Sequence, residues 1–131
     1  GVEVTVDGTD APIRAIPQLI YSIVYNLCDN AIKYNHCGGN VNIRVHQTLY
    51  NAVLSVKDTG IGIPEESRER IFERFYRVDK SRSKEVGGTG LGLSIVKHAV
   101  MIHNGKIEVK SELGEGTEMI VTIPNKQDIN L

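Results

Sequence analysis

The longest periodic stretch of the chain runs from Pro17 to Tyr34 and has apolar side chains at the spacing of one helical face. The residues on that face are Ile20, Ile23, Val24, Leu27 and Ala31. This spacing predicts a long amphipathic helix with its apolar side buried in the core. Pro17 suits the first helical position, because its missing amide hydrogen is not needed there.

Alternating apolar and polar residues predict five strands, the first with one face in water. Their apolar positions span 2–6, 41–45, 52–56, 107–109 and 119–123, and the third strand runs on to Asp58. Pro64 to Phe72 predicts a short helix, and a second amphipathic helix, with Leu93, Val96 and Val100 on one side, is expected to end near Asn104. This order predicts an α+β fold, a two-layer sandwich whose mixed, mostly antiparallel sheet is covered on one face by helices. We expect one domain over 1–124 and a loose tail over 125–131.

Composition narrows the functional classes without selecting one. The chain has 131 residues, 40% of them hydrophobic and 24% charged, with a net charge of -1, so bulk charge gives no reason to expect nucleic-acid binding. The sequence contains neither a membrane-spanning run nor a signal-peptide pattern. Cys28 and Cys37 lack metal-ligand spacing. Two cysteines do not make a disulfide framework, so a reducing cytoplasm is expected. The sequence leaves open whether a longer parent is anchored in a membrane.

A polar stripe of Asn26, Asn30 and Lys33 rises one turn at a time along the margin of the long helix. Two carboxamides and an ammonium group at the edge of a core can bind a metal ion and its phosphates. A solvated polar edge would explain the same stripe equally well, so the stripe alone leaves both interpretations open.

Asp58 ends the third strand with the same parity as Leu54 and Val56, which predicts that its side chain points to the apolar side of the sheet. An ionised carboxylate buried there without a partner would cost several kcal/mol, so a partner is expected. Gly60 and Gly62 follow at once and allow a tight bend or a close approach to another group.

A glycine-rich turn, Gly87 to Leu93, enters the second helix and can present backbone amides to phosphate oxygens. It is not a dinucleotide-binding fingerprint, because its spacing is G-x-G-x-G, and Leu93 stands where a P-loop needs lysine. Taken singly, the turn is explained better as a flexible connection. The charged residues before it, Arg77 to Glu85, lack periodicity and predict an exposed, mobile loop.

Four motifs occur in a fixed order: Asn26 to Tyr34, Asp58 to Ile63, Ile71 to Arg77, and Gly88 to Leu93. With these motifs the chain resembles the catalytic ATP-binding domain of sensor histidine kinases. That domain shares a Bergerat-type ATP-binding fold with type II topoisomerases, MutL-type repair proteins and heat-shock chaperone ATPases. The resemblance covers nearly the whole chain, and four ordered motifs are far more specific than any one.

The resemblance implies the site residues and the cofactors ATP and Mg²⁺. It assigns Asn30 to Mg²⁺ and Asn26 to a metal-bound water, which agrees with the preference of magnesium for oxygen ligands. It assigns Asp58 to the adenine amino group. The implied cofactor-binding set is Asn26, Asn30, Lys33, Tyr34, Asp58, Gly60, Gly62, Ile63, Tyr76, Arg77, Gly88, Thr89, Gly90, Leu91, Gly92 and Leu93.

The catalytic roles implied by the resemblance fall to Asn26, Lys33 and Arg77. Lys33 and Tyr34 would contact phosphates or ribose, and Arg77 would reach the terminal phosphate. Gly88, Gly90 and Gly92 would form the hinge of a lid made by 77–87. Ser81, Arg82 and Lys84 could add phosphate contacts, although a solvated loop explains them equally well.

The resemblance implies phosphoryl transfer to a histidine during two-component signalling. The related ATPases have a glutamate at the position of Asn26, and a carboxamide cannot accept a proton as that base does. The four histidines, His36, His46, His98 and His103, lie in a loop, a strand and the second helix, which is the wrong setting for an acceptor. We therefore expect a dimerisation and phosphoacceptor domain upstream in a homodimeric parent, a response regulator as a further partner, and a monomeric isolated domain.

Three other interpretations remain open at this stage. An ATPase or chaperone-like switch shares the fold, but Asn26 argues against it. A serine kinase of the anti-sigma type shares the nucleotide motifs, but the aromatic segment Phe72 to Tyr76 argues against it. A module that binds nucleotide without transferring phosphate is compatible with every motif.

Overall fold

The computed structural model describes residues 1–76 and 91–125, which form five strands and two α-helices. The elements are β1 (Glu3–Gly8), α1 (Pro17–Lys33), β2 (Asn40–Gln47), β3 (Asn51–Asp58), α2 (Gly92–Ile102), β4 (Lys106–Glu112) and β5 (Gly116–Pro124). Pro17 occupies the first turn of α1 as predicted. Of the predicted tail, only Asn125 belongs to the described part of the chain, and its backbone amide donates to the Tyr50 carbonyl.

The strands form a single open sheet in the order β1-β2-β3-β5-β4. β1 pairs with β2 in parallel, and every other pairing is antiparallel. α1 packs over β2 and β3, α2 packs against β4, and the two helices lie against each other. The predicted α+β architecture, with a mixed, mostly antiparallel sheet under helices, is confirmed.

The core lies between the helices and the sheet. Ile23, Leu27 and Ala31 of α1 are buried against residues of β2, β3, β5 and α2. The prediction was wrong for Val24, which is 37% exposed. It lies about 100° around the helix from Ile23, beyond the edge of the buried face. Among the described residues, neither helix is both long and apolar enough to cross a membrane.

The first strand does not have the single wet face predicted for it, because all six of its residues are exposed. Val4 and Val6 lie beside the buried residues Val41 and Ile43 of β2, yet they are 43% and 72% exposed. β1 is the edge strand, and α1 packs over β2 and β3. The alternation of apolar and polar residues predicted the strand correctly. It could not show that the helices would leave this strand uncovered.

The predicted helix from Pro64 to Phe72 is replaced by two separate 3₁₀ turns, Glu65–Ser67 and Arg70–Phe72. Side chains of this segment bond to other elements. The Ser67 hydroxyl lies 2.8 Å from the Tyr76 hydroxyl, and the Arg68 guanidinium donates to the Ser111 carbonyl. Short 3₁₀ turns are frequent in segments that connect regular elements.

The fully buried His103 follows α2 and links it to the start of α1. Its Nε2 accepts the Ile16 amide at 3.0 Å, and its Nδ1 lies 2.8 Å from the Ala99 carbonyl. These partners assign the proton to Nδ1. Ile16 precedes α1 and makes no side-chain cap, so His103 supplies an acceptor for an amide there.

We expect His103→Leu to lower the free energy of unfolding by about 1–3 kcal/mol, since the Ile16 amide would lose its acceptor. Urea denaturation followed by circular dichroism measures the change. The matched control is His98→Leu, on an exposed position of α2, where about 0.5 kcal/mol or less is expected. Equal losses for the two variants would refute the capping role.

Candidate nucleotide site

The polar stripe of α1 lies beside the start of α2. Asn26 is half-buried, and its Nδ2 donates to the Ser22 carbonyl at 2.8 Å, which assigns the amide orientation. Its Oδ1 then points towards α2, where a Cβ built on Gly92 would lie 3.0 Å from that oxygen. Gly92 therefore allows the glycine-rich end of α2 to approach a carboxamide oxygen closely.

The next two members of the stripe differ in their surroundings. The Asn30 amide is half-buried, and none of the side-chain hydrogen bonds within 1–76 and 91–125 involves it. Lys33 forms an ion pair with Asp29, with 2.9 Å between Nζ and Oδ2. The hydrogen bond to Asp29 raises the pKa of Lys33. The stripe thus offers a carboxamide oxygen at Asn30 and a cation at Lys33 that is already paired.

Asp58 lies at the end of β3, half-buried on the side of the sheet that carries Val56 and Val41. Its Oδ1 accepts two backbone amides, from Gly60 at 2.8 Å and from Thr117 at 3.1 Å. Burial raises the pKa of Asp58, and these two hydrogen bonds partly oppose the rise. The partners expected for a carboxylate on the core side of the sheet are therefore, in the first place, these two backbone amides. No described group donates to Oδ2, so that oxygen can accept a further hydrogen bond.

The loop after Asp58 is held against the end of α1. The Ile61 amide donates to the Tyr34 carbonyl at 3.1 Å, and a Cβ at Gly60 would collide with the same oxygen. Gly62 has a φ of 77°, and a Cβ there would collide with the Glu112 carbonyl oxygen. Both predicted glycines are thus required by close backbone packing, which is a reason independent of any ligand.

A buried amide that the sequence did not single out reinforces this junction. Asn35 follows α1, is 7% exposed, and donates from Nδ2 to the Asn40 carbonyl at 2.9 Å. Its Oδ1 accepts the His36 amide at 2.9 Å and lies 3.3 Å from the Thr59 hydroxyl. Three separate pieces of chain therefore meet at Asn35: the end of α1, the start of β2 and the residue after Asp58.

The hairpin between β4 and β5 closes the other side of Asp58. A Cβ at Gly116 would collide with the Asp58 carbonyl, so only glycine lets the hairpin come this close. Thr117, next along, gives its amide to the carboxylate. Neither Gly116 nor Thr117 was singled out from the sequence as a site residue, and no residue-type signal could reveal the backbone contribution of Thr117.

Ile63 and Tyr76 lie further from the carboxylate along the chain. The Ile63 amide donates to the Ser111 hydroxyl at 2.8 Å. The Tyr76 hydroxyl pairs with Ser67, and the Arg70 guanidinium sits 4.5 Å from the ring centroid. Both side chains are half-buried against the core, so their contacts in the structure are with protein groups.

The glycine-rich motif is described only in part. Leu91 precedes α2, Gly92 begins it and Leu93 packs against the core. Arg77, Gly88, Thr89 and Gly90 lie outside the described residues, as do the predicted lid and its residues Ser81, Arg82 and Lys84.

The described site residues form one continuous row. It runs from Gly92 to Asn26, along α1 through Asn30 to Tyr34, and then across the Tyr34 carbonyl to the loop that begins at Asp58. Within the described part of the chain no group of three or more His, Cys, Asp or Glu side chains could hold a metal. The oxygens offered along α1 are carboxamides, at the spacing of successive helical turns.

A family model described as histidine kinase-, DNA gyrase B-, and HSP90-like ATPase matches residues 15–127. The sensor-like histidine kinase SenX3 of Mycolicibacterium smegmatis is 44% identical over 124 residues, covering 92% of this chain and 32% of that protein. The sensor histidine kinase WalK of Bacillus subtilis is 45% identical over 111 residues, covering 83% of this chain and 18% of that protein. The chain therefore spans a third or less of the length of these relatives.

Solved structures share the fold. The mycobacterial sensor histidine kinase MprB aligns with a TM-score of 0.86 and 33% identity, covering 97% of this chain and 86% of that one. Full-length ShkA, solved in complex with AMPPNP, aligns with a TM-score of 0.81 and 30% identity, covering 99% of this chain and 27% of that one. The chain belongs to the family of histidine kinase-, DNA gyrase B- and HSP90-like ATPases, as a catalytic ATP-binding domain of the sensor histidine kinase type.

Proposed function

We propose that this domain binds Mg-ATP and donates the terminal phosphate to a histidine on a separate dimerisation and phosphoacceptor domain. The observation that carries the proposal is the row of groups from Asn26 along α1 to Asp58. It joins oxygen ligands for a metal at one end to a fixed carboxylate at the other. Family membership supports ATP as the nucleotide.

Asp58 is suited to recognise adenine because its geometry is set before any ligand binds. The Gly60 and Thr117 amides fix Oδ1, which leaves Oδ2 as an acceptor for the exocyclic amino group of the base. A carboxylate accepts hydrogen bonds and donates none, so it favours an amino group over the carbonyl oxygen that guanine carries at the same ring position.

Asn30 and Asn26 fit the phosphate end of the nucleotide. No hydrogen bond among the described residues engages the Asn30 side chain, and Asn26 presents Oδ1 because its Nδ2 is held by Ser22. Mg²⁺ prefers oxygen ligands and, when bound, would neutralise phosphate charge. We assign Asn30 as the direct ligand, Asn26 to a metal-bound water and Lys33 to a phosphate oxygen. Arg77 and the glycines of the lid remain proposed contributors.

The same residues argue against ATP hydrolysis as the main activity. A general base must accept a proton from water, and the Asn26 carboxamide has no basic group to do so. The two groups described against the Asn26 amide, the Ser22 carbonyl and Gly92, carry no carboxylate. Transfer to a protein side chain therefore needs an acceptor that brings its own nucleophile.

The chain's own histidines are poor acceptors. His103 is fully buried with both ring nitrogens engaged, while His36, His46 and His98 are exposed on a turn, a strand and a helix of this domain. We propose that the acceptor histidine, the homodimer contacts and the response-regulator docking surface belong to other domains of a longer kinase. Both cysteines are free, in keeping with the cytoplasmic setting that we propose for this part of it.

A transfer assay tests the proposal. The domain is mixed with radiolabelled Mg-ATP and a separately expressed phosphoacceptor domain from the same kinase, and we expect label that acid removes and alkali does not, as for phosphohistidine. Without the acceptor we expect little turnover. A variant acceptor with glutamine in place of its histidine is the control. Rapid release of inorganic phosphate without an acceptor would contradict the proposal and favour an ATPase.

A further inference from the structure

The proposed nucleotide spans two pieces of the fold, and the junction between them is built around two residues outside the predicted site. Accepting the proposed function, we infer that Asn35 and Thr59 are positioning residues. They set the spacing between the adenine-binding carboxylate at the end of β3 and the phosphate-binding stripe of α1. Neither residue is placed in contact with the nucleotide.

The Asn35 side chain occupies a buried position where its polar atoms must be satisfied within the protein. It donates to the Asn40 carbonyl at 2.9 Å, accepts the His36 amide at 2.9 Å, and lies 3.3 Å from the Thr59 hydroxyl. A buried amide with this many partners has a single favourable orientation. Asn35 directly follows Tyr34, the C-cap residue of α1, so that orientation fixes the end of the helix.

Thr59 connects the end of α1 to the half of the site that contains Asp58. Its hydroxyl accepts the Asn40 amide at 2.8 Å, and its own amide donates to the Asn40 carbonyl at 3.1 Å. Asp58 precedes it in the chain, and the Asp58 carboxylate accepts the Gly60 amide that follows it. Thr59 is therefore held from both sides between α1 and the carboxylate.

A second link runs parallel to this one, through the backbone alone. The Tyr34 carbonyl accepts the Ile61 amide at 3.1 Å. Two connections, one on each side of Gly60, leave the loop little freedom to slide along α1. Binding sites lose much of their affinity when groups shift by about 1 Å from the productive geometry, so this spacing has consequences for a ligand that touches both ends.

The consequence is specific to ligands that bridge the two halves. Adenosine contacts only the Asp58 end of the row, whereas Mg-ADP also reaches the metal and phosphate end on α1. Loosening the junction should therefore leave adenosine affinity nearly intact and reduce the additional affinity that the phosphates and Mg²⁺ provide. A purely structural role would lower stability and weaken both ligands alike.

The experiment compares Thr59→Val, which removes the hydroxyl but keeps the shape, with Thr59→Ser, which restores it. Adenosine and Mg-ADP affinities are measured by calorimetry well below the unfolding temperature. We expect Thr59→Val, which removes the hydroxyl contacts to Asn40 and Asn35, to reduce the Mg-ADP-to-adenosine affinity ratio by about tenfold. Thr59→Ser should recover the ratio, whereas Asn35→Asp, which places a second acceptor against the Asn40 carbonyl, should lower the ratio at least as far as Thr59→Val.

Asn42→Ala is the matched control. Asn42 also bridges neighbouring segments, donating to Thr5 at 2.8 Å and to Asp7 at 3.0 Å, but it lies on β2 away from the proposed site. Its affinity ratio should stay at the wild-type value. An unchanged ratio in Thr59→Val, or equal loss for both ligands, would overturn the positioning role while leaving nucleotide binding in place. If the wild-type domain bound neither ligand, the proposed function would fail as well.

Discussion

Asp58→Asn is expected to abolish most adenine-nucleotide affinity while the domain stays folded. The oxygen of the new carboxamide can accept the Gly60 and Thr117 amides as the carboxylate does, so the loop keeps its anchors. In place of the free Oδ2, however, the variant presents an amide nitrogen that donates. Two donors then face each other at the adenine amino group, and we expect a loss of about 10- to 100-fold in ATP affinity.

Asp58→Asn should lower ATP affinity but should not lower the stability of the folded domain at neutral pH. Burial holds the pKa of Asp58 above its ordinary value of 3.8, so the folded state retains the proton more readily than the unfolded chain. The wild type therefore loses stability as pH rises from below 3.8 through the raised pKa, and the loss is complete above it. The carboxamide of the variant cannot ionise. The unfolding midpoint of Asp58→Asn should equal or exceed that of the wild type at pH 7, and its advantage should shrink as pH falls.

Inosine triphosphate supplies the matched ligand control, because it carries a carbonyl oxygen where adenine carries the amino group. The amide introduced by Asp58→Asn can donate to that oxygen, so the variant should shift its preference from ATP towards inosine triphosphate. Competition against a fluorescent ATP analogue measures both affinities. Unchanged ATP affinity in a folded Asp58→Asn variant would show that the base binds elsewhere.

Local pattern was enough to predict the elements that build the site. The apolar spacing of Ile23, Leu27 and Ala31 placed α1 correctly, and strand parity placed Asp58 on the core side of β3. Both follow from periodicity, which depends only on neighbours within one element. The order of four motifs then identified the family, since each motif alone had a plausible structural explanation.

What the sequence could not supply depends on contacts between distant segments. The sequence did not single out Asn35, whose role emerges only when Asn40 and Thr59 are brought beside it. Thr117 contributes a backbone amide, which every residue but proline possesses. β1 alternates correctly yet is exposed on both faces, because exposure depends on where the helices lie. Tertiary placement, rather than propensity, decided each of these features.

The second large effect is expected from a substitution at Asn30, at the phosphate end of the row. Asn30→Ala should remove the Mg²⁺ dependence of nucleotide binding while leaving the fold intact. Asn30 lies inside α1, where alanine is the better helix former, and no hydrogen bond among the described residues involves its side chain. In the wild type, Mg²⁺ should strengthen ADP binding, because the metal joins the phosphates to the Asn30 oxygen.

Calorimetric titration of ADP with and without Mg²⁺ measures this dependence directly. For Asn30→Ala we expect the gain from Mg²⁺ to fall by about tenfold or more, as is typical when groups supporting a metal site are removed. Adenosine, which carries no phosphate, should bind both proteins equally. Asp29→Ala is the neighbouring control: it breaks the ion pair to Lys33 but leaves the Asn30 oxygen in place, so the gain from Mg²⁺ should persist. If Mg²⁺ still strengthens ADP binding to Asn30→Ala as much as to the wild type, Asn30 is not the ligand of the metal and another residue must be.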